Sequence, residues 1–295
     1  MTLDLEGGTF DWHILNPLAL LWYVSSTVPE LRQMLLGLSE TVKSNIVIYC
    51  DELTPGNVLR PDKGRTTMAF YWTVLEWPSH LLKRVYGWFT FGVLRSTLIA
   101  KYPGGLSALF KKVLHVFFPE TGPSLLTGVA LGGCSRIVCF GLGGIIGDEK
   151  AIKEIYGLKG AAGCKPCLAC KSVVMVNRGG LAEYDAEGYL VGIDEVDSRL
   201  FDLHTDESVF QAADVLAEAS RSLGDADLAA LEVAMGVHHV PDGVLLDQHL
   251  RGLVRPITGT IWDWMHILLV HGTGSLEVQS LVQELAWSYA TLWWS

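Results

Sequence analysis

Apolar and polar positions alternate along the chain with two different periods, which divide it into predicted helices and strands. Apolar residues at helical spacing predict helices over 18–25, 29–41 and 104–118, and amphipathic helices with acidic outer faces over 206–220 and 224–236. Runs rich in β-branched and aromatic residues predict strands over 45–51, 66–76, 88–98 and 135–146. Turn residues at 54–57 end the first strand just beyond Asp51, and the fourth strand leads to Asp148.

The order of these elements is strand, strand, strand, helix, strand. It favours an α/β fold with a ribonuclease-H-like core (β-β-β-α-β), in which the fourth strand lies parallel to the first and beside it. We expect a mostly helical insertion to interrupt this core. The predicted parts are an N-terminal helical segment over 1–44, the first part of the core over 45–176, the insertion over 177–262 and a C-terminal core helix over 263–295.

The longest apolar stretch, residues 125–146, approaches the length of a membrane-spanning helix. Arg136 lies at its centre among several glycines, so we interpret the stretch as buried strands. The N-terminus carries acidic residues and no basic region ahead of an apolar run, so no secretory signal is expected. These features predict a protein that is not secreted, has no membrane partner and is nuclear or otherwise intracellular.

Two acidic residues, Asp51 and Asp148, follow the first and fourth predicted strands, which this fold makes neighbours. Two close carboxylates repel each other, and a divalent cation bound between them removes the electrostatic cost of that repulsion. Carboxylate oxygens suit Mg²⁺, or Mn²⁺ in its place, and a pair of such ions supports phosphoryl transfer. A third carboxylate is then expected. Taken singly, Asp51 also fits a strand-end or turn aspartate, and Asp148 also fits a helix N-cap.

Two cysteines and two histidines have the residue types of a zinc site. Cys167 and Cys170 form a Cys-x-x-Cys motif, and His266 and His271 lie near the end of the chain. Thiolates and imidazoles are the preferred ligands of Zn²⁺. We therefore predict a zinc site that ties the two ends of the insertion together. The alternative is a pair of buried thiols with two helical histidines.

The net charge of -10 is unevenly distributed along the chain. Residues 1–176 hold 17 Lys and Arg against 13 Asp and Glu, whereas residues 177–262 hold 5 against 16. The acidity belongs mainly to the insertion, so the first part of the chain remains suited to a nucleic-acid partner. Candidate contacts to a phosphate backbone are the lysines that follow Asp148, although each also fits a solvated helix face: Lys150, Lys153, Lys159, Lys165 and Lys171.

Three segments together resemble the successive signatures of DDE transposases, which have a ribonuclease-H-like core. They are residues 49–57 around the first aspartate, residues 147–170 with Lys-Gly and then Pro-Cys-x-x-Cys after the second aspartate, and Asp-x-x-His at 263–266. These segments are most similar to those of CACTA and Plavaka-type transposases, and the catalytic core of the V(D)J recombinase shares the arrangement. The resemblance covers roughly residues 45–285. Each motif is weak alone, and the spaced set is moderately specific.

The resemblance implies a function and its residues. It implies DNA as the partner and metal-dependent cleavage and transfer of DNA strands as the activity. It implies a third acid on a helix after Asp-x-x-His, where Glu277 is favoured over Glu284. It also implies zinc held by the Cys-x-x-Cys pair and by two histidines five residues apart, as His266 and His271 are.

Two other functions stay open at the level of sequence. One is a transposon-derived protein that keeps the fold and the zinc but has lost catalysis. The other is a nucleotide-dependent oxidoreductase built on the glycines of residues 141–147, which imitate a dinucleotide-binding motif. A homo-oligomer is also left open. The chain ends inside an apolar helical pattern and shows no site-specific DNA-binding motif, so we expect it to be a piece of a longer protein.

Overall fold

The protein has a mixed α/β fold. The computed structural model describes residues 1–38, 43–54, 63–175, 190–193, 197–263, 280–281 and 283. Its strands are β1 Thr2–Leu5, β2 Gly8–Asp11, β3 Ser44–Leu53, β4 Thr67–Val74, β5 Phe89–Arg95, β6 Val129–Ala130, β7 Ile137–Val138, β8 Phe140–Gly147, β9 Val173–Val174, β10 Val191–Gly192 and β11 Thr260–Trp262. Its helices are α1 Pro17–Thr27, α2 Pro29–Leu36, α3 Ser79–Leu82, α4 Ser96–Ile99, α5 Gly105–Phe117, α6 Glu149–Tyr156, α7 Asp206–Ala219 and α8 Asp225–Met235.

Five of these strands form one mixed sheet in the order β11-β8-β3-β4-β5. The strands β3, β4 and β5 are antiparallel neighbours, whereas β8 runs parallel to β3 and β11 runs parallel to β8. The parallel register of β3 and β8 pairs Cys50 with Gly147. The four predicted strands and the parallel contact between the first and the fourth are therefore confirmed, except that residues 96–98 of the third predicted strand belong to α4.

The glycines of β8 allow its neighbours to approach closely. A Cβ atom at Gly144 would lie 2.8 Å from the carbonyl oxygen of Gly259, just before β11. A Cβ atom at Gly143 would lie 2.8 Å from the Cβ of Asn45 on β3. Because real Cβ atoms do not approach other atoms this closely, side chains at these positions would push the strands apart. The run lies within a strand and does not form the strand-to-helix loop that a dinucleotide fingerprint needs.

The hydrophobic core lies between the sheet and α5. Phe70 and Trp72 of β4 contact Phe110 and Phe117 of α5, with ring centroids 6.3 Å and 5.6 Å apart. All four side chains are fully buried, and such aromatic burial is a large contribution to stability. The helix α6 lies beside α5 and begins directly after β8. The core therefore holds the carboxyl ends of β3 and β8 in fixed positions.

The structure differs from the expected boundaries at two places. The N-terminal segment, expected to be helical, begins with a hairpin of β1 and β2 before α1 and α2. The last residues of the expected insertion, Thr260–Trp262, form β11 and pair with β8 in the main sheet. Three apolar or β-branched residues are too short a run to stand out as a strand in sequence. The two helices predicted within the expected insertion, over 206–220 and 224–236, are confirmed as α7 and α8.

The apolar stretch 125–146 forms β6, β7 and β8 and contains no helix. In the described part of the chain, no helix has the length and apolar character that a membrane span requires.

Candidate functional site

Three aspartates lie in or directly after three neighbouring parallel strands, at the same edge of the sheet: Asp51 within the last part of β3, Asp148 after β8 and Asp263 after β11. Cys50 of β3, Gly147 of β8 and Trp262 of β11 form one row of paired residues. The next residue on each strand is an aspartate: Asp51, Asp148 and Asp263. The backbone N–H of Asp263 donates to the carbonyl oxygen of Gly147 at 3.2 Å, which continues the ladder into this row. We call these three residues the aspartate row.

The phenol of Tyr49 lies between two members of the aspartate row. Its hydroxyl oxygen is 3.2 Å from Oδ2 of Asp51 and 3.0 Å from Oδ2 of Asp263. Tyr49 and Asp51 are two residues apart on β3 and therefore face the same side of the sheet. A phenol carries one proton and can donate it to only one of the two carboxylates at a time. Asp51 and Asp263 therefore share the Tyr49 hydroxyl as a hydrogen-bond donor.

Burial and negative charge dominate the electrostatics around the aspartate row. Burial, together with Asp51 and Asp263, raises the pKa of Tyr49 well above its ordinary value. Burial also raises the pKa of the fully buried Cys50, and the charges of Asp51 and Asp148 add to that rise. Burial is the larger cause of both shifts, and the nearby carboxylates add to it. A divalent cation would lower the electrostatic cost of placing these carboxylates together.

Asp148 also caps α6. Its Oδ1 accepts a hydrogen bond from the backbone N–H of Ala151 at 2.6 Å. The helix-cap alternative for Asp148 is therefore correct, but it does not exclude a metal. A carboxylate has two oxygens and about four acceptor positions. Asp51 lies within β3, where it is opposite Ala69 of β4, and is not a turn residue.

One lysine, Lys150, supplies positive charge close enough to act on Asp148, on the side of β3 that carries Glu52 and not Asp51. Nζ of Lys150 lies 3.0 Å from Oε2 of Glu52 and 4.0 Å from Oε1 of Glu154. The hydrogen bond to Glu52 raises the pKa of Lys150. Burial raises the pKa of Glu154, and the charges of Glu52 and Asp148 raise it further against the effect of Lys150. Acids outnumber the cation, so Lys150 does not neutralise this edge of the sheet.

The aspartate row offers carboxylate oxygens, the ligand type that Mg²⁺ and Mn²⁺ prefer. Among the described residues, its three carboxylates are not a group whose ligand atoms all lie within 4.8 Å of one another, so a metal bound there stays a prediction. Asp51 and Asp148 are the two residues predicted from sequence as metal ligands, and their strands are adjacent. Glu277 and Glu284, the candidates for the third acid, lie outside the described residues, so their part in the site stays a prediction.

The Cys-x-x-Cys motif forms a loop that contacts the first part of the insertion. Burial raises the pKa of the Cys170 thiol to about 11, and the adjacent Cys167 thiol contributes to that rise. The two sulfurs are therefore close neighbours, as a shared metal requires. Cys170 pairs with Leu203, and the backbone N–H of His204 donates to the carbonyl oxygen of Ala169 at 2.9 Å. The two other predicted zinc ligands, His266 and His271, lie outside the described residues.

The five candidate lysines do not form one basic surface. Lys159 is largely buried and pairs with Glu232 at 2.9 Å. Lys153 pairs with Glu149 on the same helix, and Lys171 lies 3.7 Å from Asp202. Burial and the charge of Lys171 lower the pKa of Lys165. The side chains of Lys150 and Lys171 are more exposed than those of Lys153 and Lys159, and DNA contact by the lysines stays a prediction.

Sequence reasoning missed the roles of two residues. Asp263 stood in the Asp-x-x-His motif but was not assigned to the acidic site. The short run Thr260–Trp262 before it repeats the pattern of a strand followed by an aspartate, which was the available signal. Tyr49 has no signal of its own beyond lying two residues before Asp51.

No family model matches the chain, and no curated protein matches it either.

Proposed function

We propose that the chain is the catalytic core of a transposase-type enzyme that cleaves and joins DNA strands with two metal ions. The observation that carries the proposal is the aspartate row at the carboxyl ends of β3, β8 and β11. In open α/β sheets this edge is where ligands bind. A row of carboxylates there is suited to metal ions that meet a phosphate.

The strand order supports the finer assignment of the fold. Three antiparallel strands, a helix and a fourth strand parallel to the first are the elements of a ribonuclease-H-like core. The fifth strand, β11, adds parallel to the fourth and brings Asp263 to the same edge. The interruption between β9 and β11 contains α7 and α8, which agrees with a mostly helical insertion.

Each residue has a defined task under this proposal. Asp51 and Asp148 hold the metal ions, and Glu277 or Glu284 completes the set on the C-terminal helix. Bound Mg²⁺ or Mn²⁺ would supply positive charge for the attacking and leaving oxygens of a phosphoryl transfer. Tyr49 orients Asp51 and Asp263 through its hydroxyl group. Lys150 lies beside the acids and is exposed enough to meet a DNA phosphate.

Zinc at Cys167, Cys170, His266 and His271 is the second part of the proposal. The Cys-x-x-Cys loop already contacts residues 203–204 of the insertion. A metal shared with the two histidines would connect this loop to the segment after β11. Such a site stabilises the fold and takes no part in the chemistry, because its four ligands leave no open position.

A DNA-nicking assay tests the proposal. The wild type should nick or join DNA only with Mg²⁺ or Mn²⁺, and Asp51→Asn should reduce that activity to background because a metal ligand is lost. The matched control is Asp227→Asn at an exposed position of α8, which should leave activity unchanged. A second readout is Mn²⁺ binding by calorimetry, which Asp51→Asn should weaken.

Two results would contradict the proposed function. A folded wild type that neither nicks DNA nor binds Mn²⁺ more tightly than Asp51→Asn would favour the inactive remnant. Binding of a nicotinamide dinucleotide by the same preparation would favour the oxidoreductase, although the glycines of β8 lie inside the sheet.

A further inference from the structure

A second cluster of metal-ligating side chains lies away from the aspartate row. His115 is in the last turn of α5, Glu120 is in the loop that follows, and Asp247 lies between two 3-10 turns, at 244–246 and 250–252. One ligand atom of each residue lies within 4.8 Å of the other two. Nε2 of His115 is 2.7 Å from Oδ2 of Asp247. We propose that these three residues bind a divalent transition-metal ion of the zinc class.

The neighbours of the cluster hold two of the ligands in place. Oδ1 of Asp247 accepts a hydrogen bond from the backbone N–H of Leu250 at 3.0 Å, which leaves Oδ2 directed at His115. The His115 ring stacks on His249, with centroids 5.6 Å apart and planes 22° apart. Nε2 of His249 is 2.8 Å from the carbonyl oxygen of Phe118 and must donate to it. Such outer contacts orient metal ligands before the ion binds.

A lysine near the cluster is already paired with another acid. Lys111 lies one turn before His115 on α5, and its ammonium group is 3.4 Å from Oδ1 of Asp242, which balances part of its charge. The two carboxylates of the cluster therefore keep a place for a bound cation.

The donor set distinguishes this cluster from the aspartate row. It combines an imidazole nitrogen with two carboxylates, and this set favours zinc-class ions over Mg²⁺. It contains no thiolate, so it is also distinct from the Cys167 and Cys170 pair. The three ligands come from α5, from the loop after it and from the segment before the 3-10 turn at 250–252. A bound ion would fasten this segment to the helix that packs on the sheet, and would stabilise the native state.

Metal titration of the purified protein tests this inference. Zn²⁺ bound per chain is measured by calorimetry, and Co²⁺ is added in parallel because only thiolate ligands give it a sulfur charge-transfer band. Glu120→Gln removes one ligand at an exposed position and should weaken Zn²⁺ binding at one site on the order of 100-fold, with the sulfur band unchanged. The control Glu218→Gln, on an exposed side chain of α7, should bind as the wild type does.

A second pair of variants keeps the test decisive. His115→Ala should lose the same equivalent of Zn²⁺, whereas His80→Ala, at an exposed histidine of α3, should keep it. If His115→Ala fails to fold, Glu120→Gln alone decides. Equal zinc stoichiometry and affinity in the wild type, Glu120→Gln and His115→Ala would overturn the inference and leave His115 and Asp247 as a hydrogen-bonded pair. This readout is independent of DNA activity and of the aspartate row.

Discussion

At the scale of single residues, Asp148 shows how one carboxylate serves both the fold and a site. Its Oδ1 satisfies the Ala151 N–H at the start of α6, and its position after Gly147 places it in the aspartate row. The cap is worth a modest free energy, and the metal-binding role is part of the proposed function. The two roles can therefore be separated by substitution.

Replacing Asp148 with Asn or with Ala separates the cap from the metal ligand. Asn caps a helix about as well as Asp does, so Asp148→Asn should unfold at a urea concentration close to that of the wild type. Asp148→Ala should lose about 0.5–2 kcal/mol of unfolding free energy because the cap is gone. Both variants should lose metal-dependent activity. Retention of that activity in Asp148→Asn would remove Asp148 from the catalytic site.

At the scale of elements, the glycines of β8 decide how closely three strands can lie. Gly143 faces Asn45 on β3, and Gly144 faces the backbone before β11. The same spacing brings Asp51, Asp148 and Asp263 to one edge. A motif that resembles a nucleotide-binding loop in sequence is therefore explained by the packing of the sheet.

A methyl group at Gly144 should push β11 away from β8. We expect Gly144→Ala to lower the free energy of unfolding by about 1–3 kcal/mol, because the clash is with a backbone oxygen that cannot rotate away. The matched control is Gly252→Ala, where a Cβ atom meets nothing within 4 Å. That control should stay within about 1 kcal/mol of the wild type, on the stabilising side. Urea denaturation measures both, and equal midpoints would contradict the packing argument.

The helix α8 is joined to the loop after α6 by an ion pair with little exposure. Nζ of Lys159 lies 2.9 Å from Oε2 of Glu232, whose Oε1 accepts the backbone N–H of His239 at 2.8 Å. Burial works against the ionised form, but the hydrogen bonds from Lys159 and His239 hold the pKa of Glu232 below its ordinary value. The ionised carboxylate therefore stabilises the folded state.

Glu232→Gln should destabilise the protein in a pH-dependent way. At neutral pH we expect a loss of about 1–3 kcal/mol, since the little-exposed ammonium group of Lys159 is left with a neutral amide in place of a carboxylate. The folded pKa lies below the ordinary value of 4.5, so the contribution is complete above that value and is lost as pH falls through the folded pKa. The difference between wild type and variant should shrink below about pH 4.5. Glu218→Gln, at an exposed pair with Arg221, should show little effect at either pH.

At the scale of the whole molecule, the Cys-x-x-Cys loop connects the segment after α6 to the segment before α7. It follows α6 and pairs with residues 203–204, just before α7. A zinc ion held there would contribute folding free energy in addition to local contacts. Loss of that zinc ion should therefore lower the stability of the whole protein.

Cys167→Ser should lower the zinc content of the purified protein and its melting temperature together. A structural zinc ion binds only the folded site, so its loss removes binding free energy from the native state. Cys134→Ser is the matched control, since Cys134 is an exposed free cysteine far from the motif in sequence. Metal analysis and thermal unfolding measure the two effects. Unchanged zinc content in Cys167→Ser would contradict the assignment of this ligand.

The sequence by itself determined the elements that depend on local pattern. The β-branched runs of β3, β4 and β5, the helical spacing of α5 and the aspartates after β3 and β8 were all readable, because period and turn residues act over a few neighbouring positions. The neighbouring placement of Asp51 and Asp148 followed from the order of elements, since connection rules restrict how such strands join.

Only the tertiary structure decided which distant residues share a site. Tyr49 reaches Asp263 across 214 positions of sequence, and His115 reaches Asp247 across 132. No periodicity encodes such pairs, because they arise from the register of β11 on β8 and from the packing of the 244–252 turns beside α5. The sequence gives the chemical type of each side chain. Its contacts with distant residues depend on how the helices and strands pack together in the core.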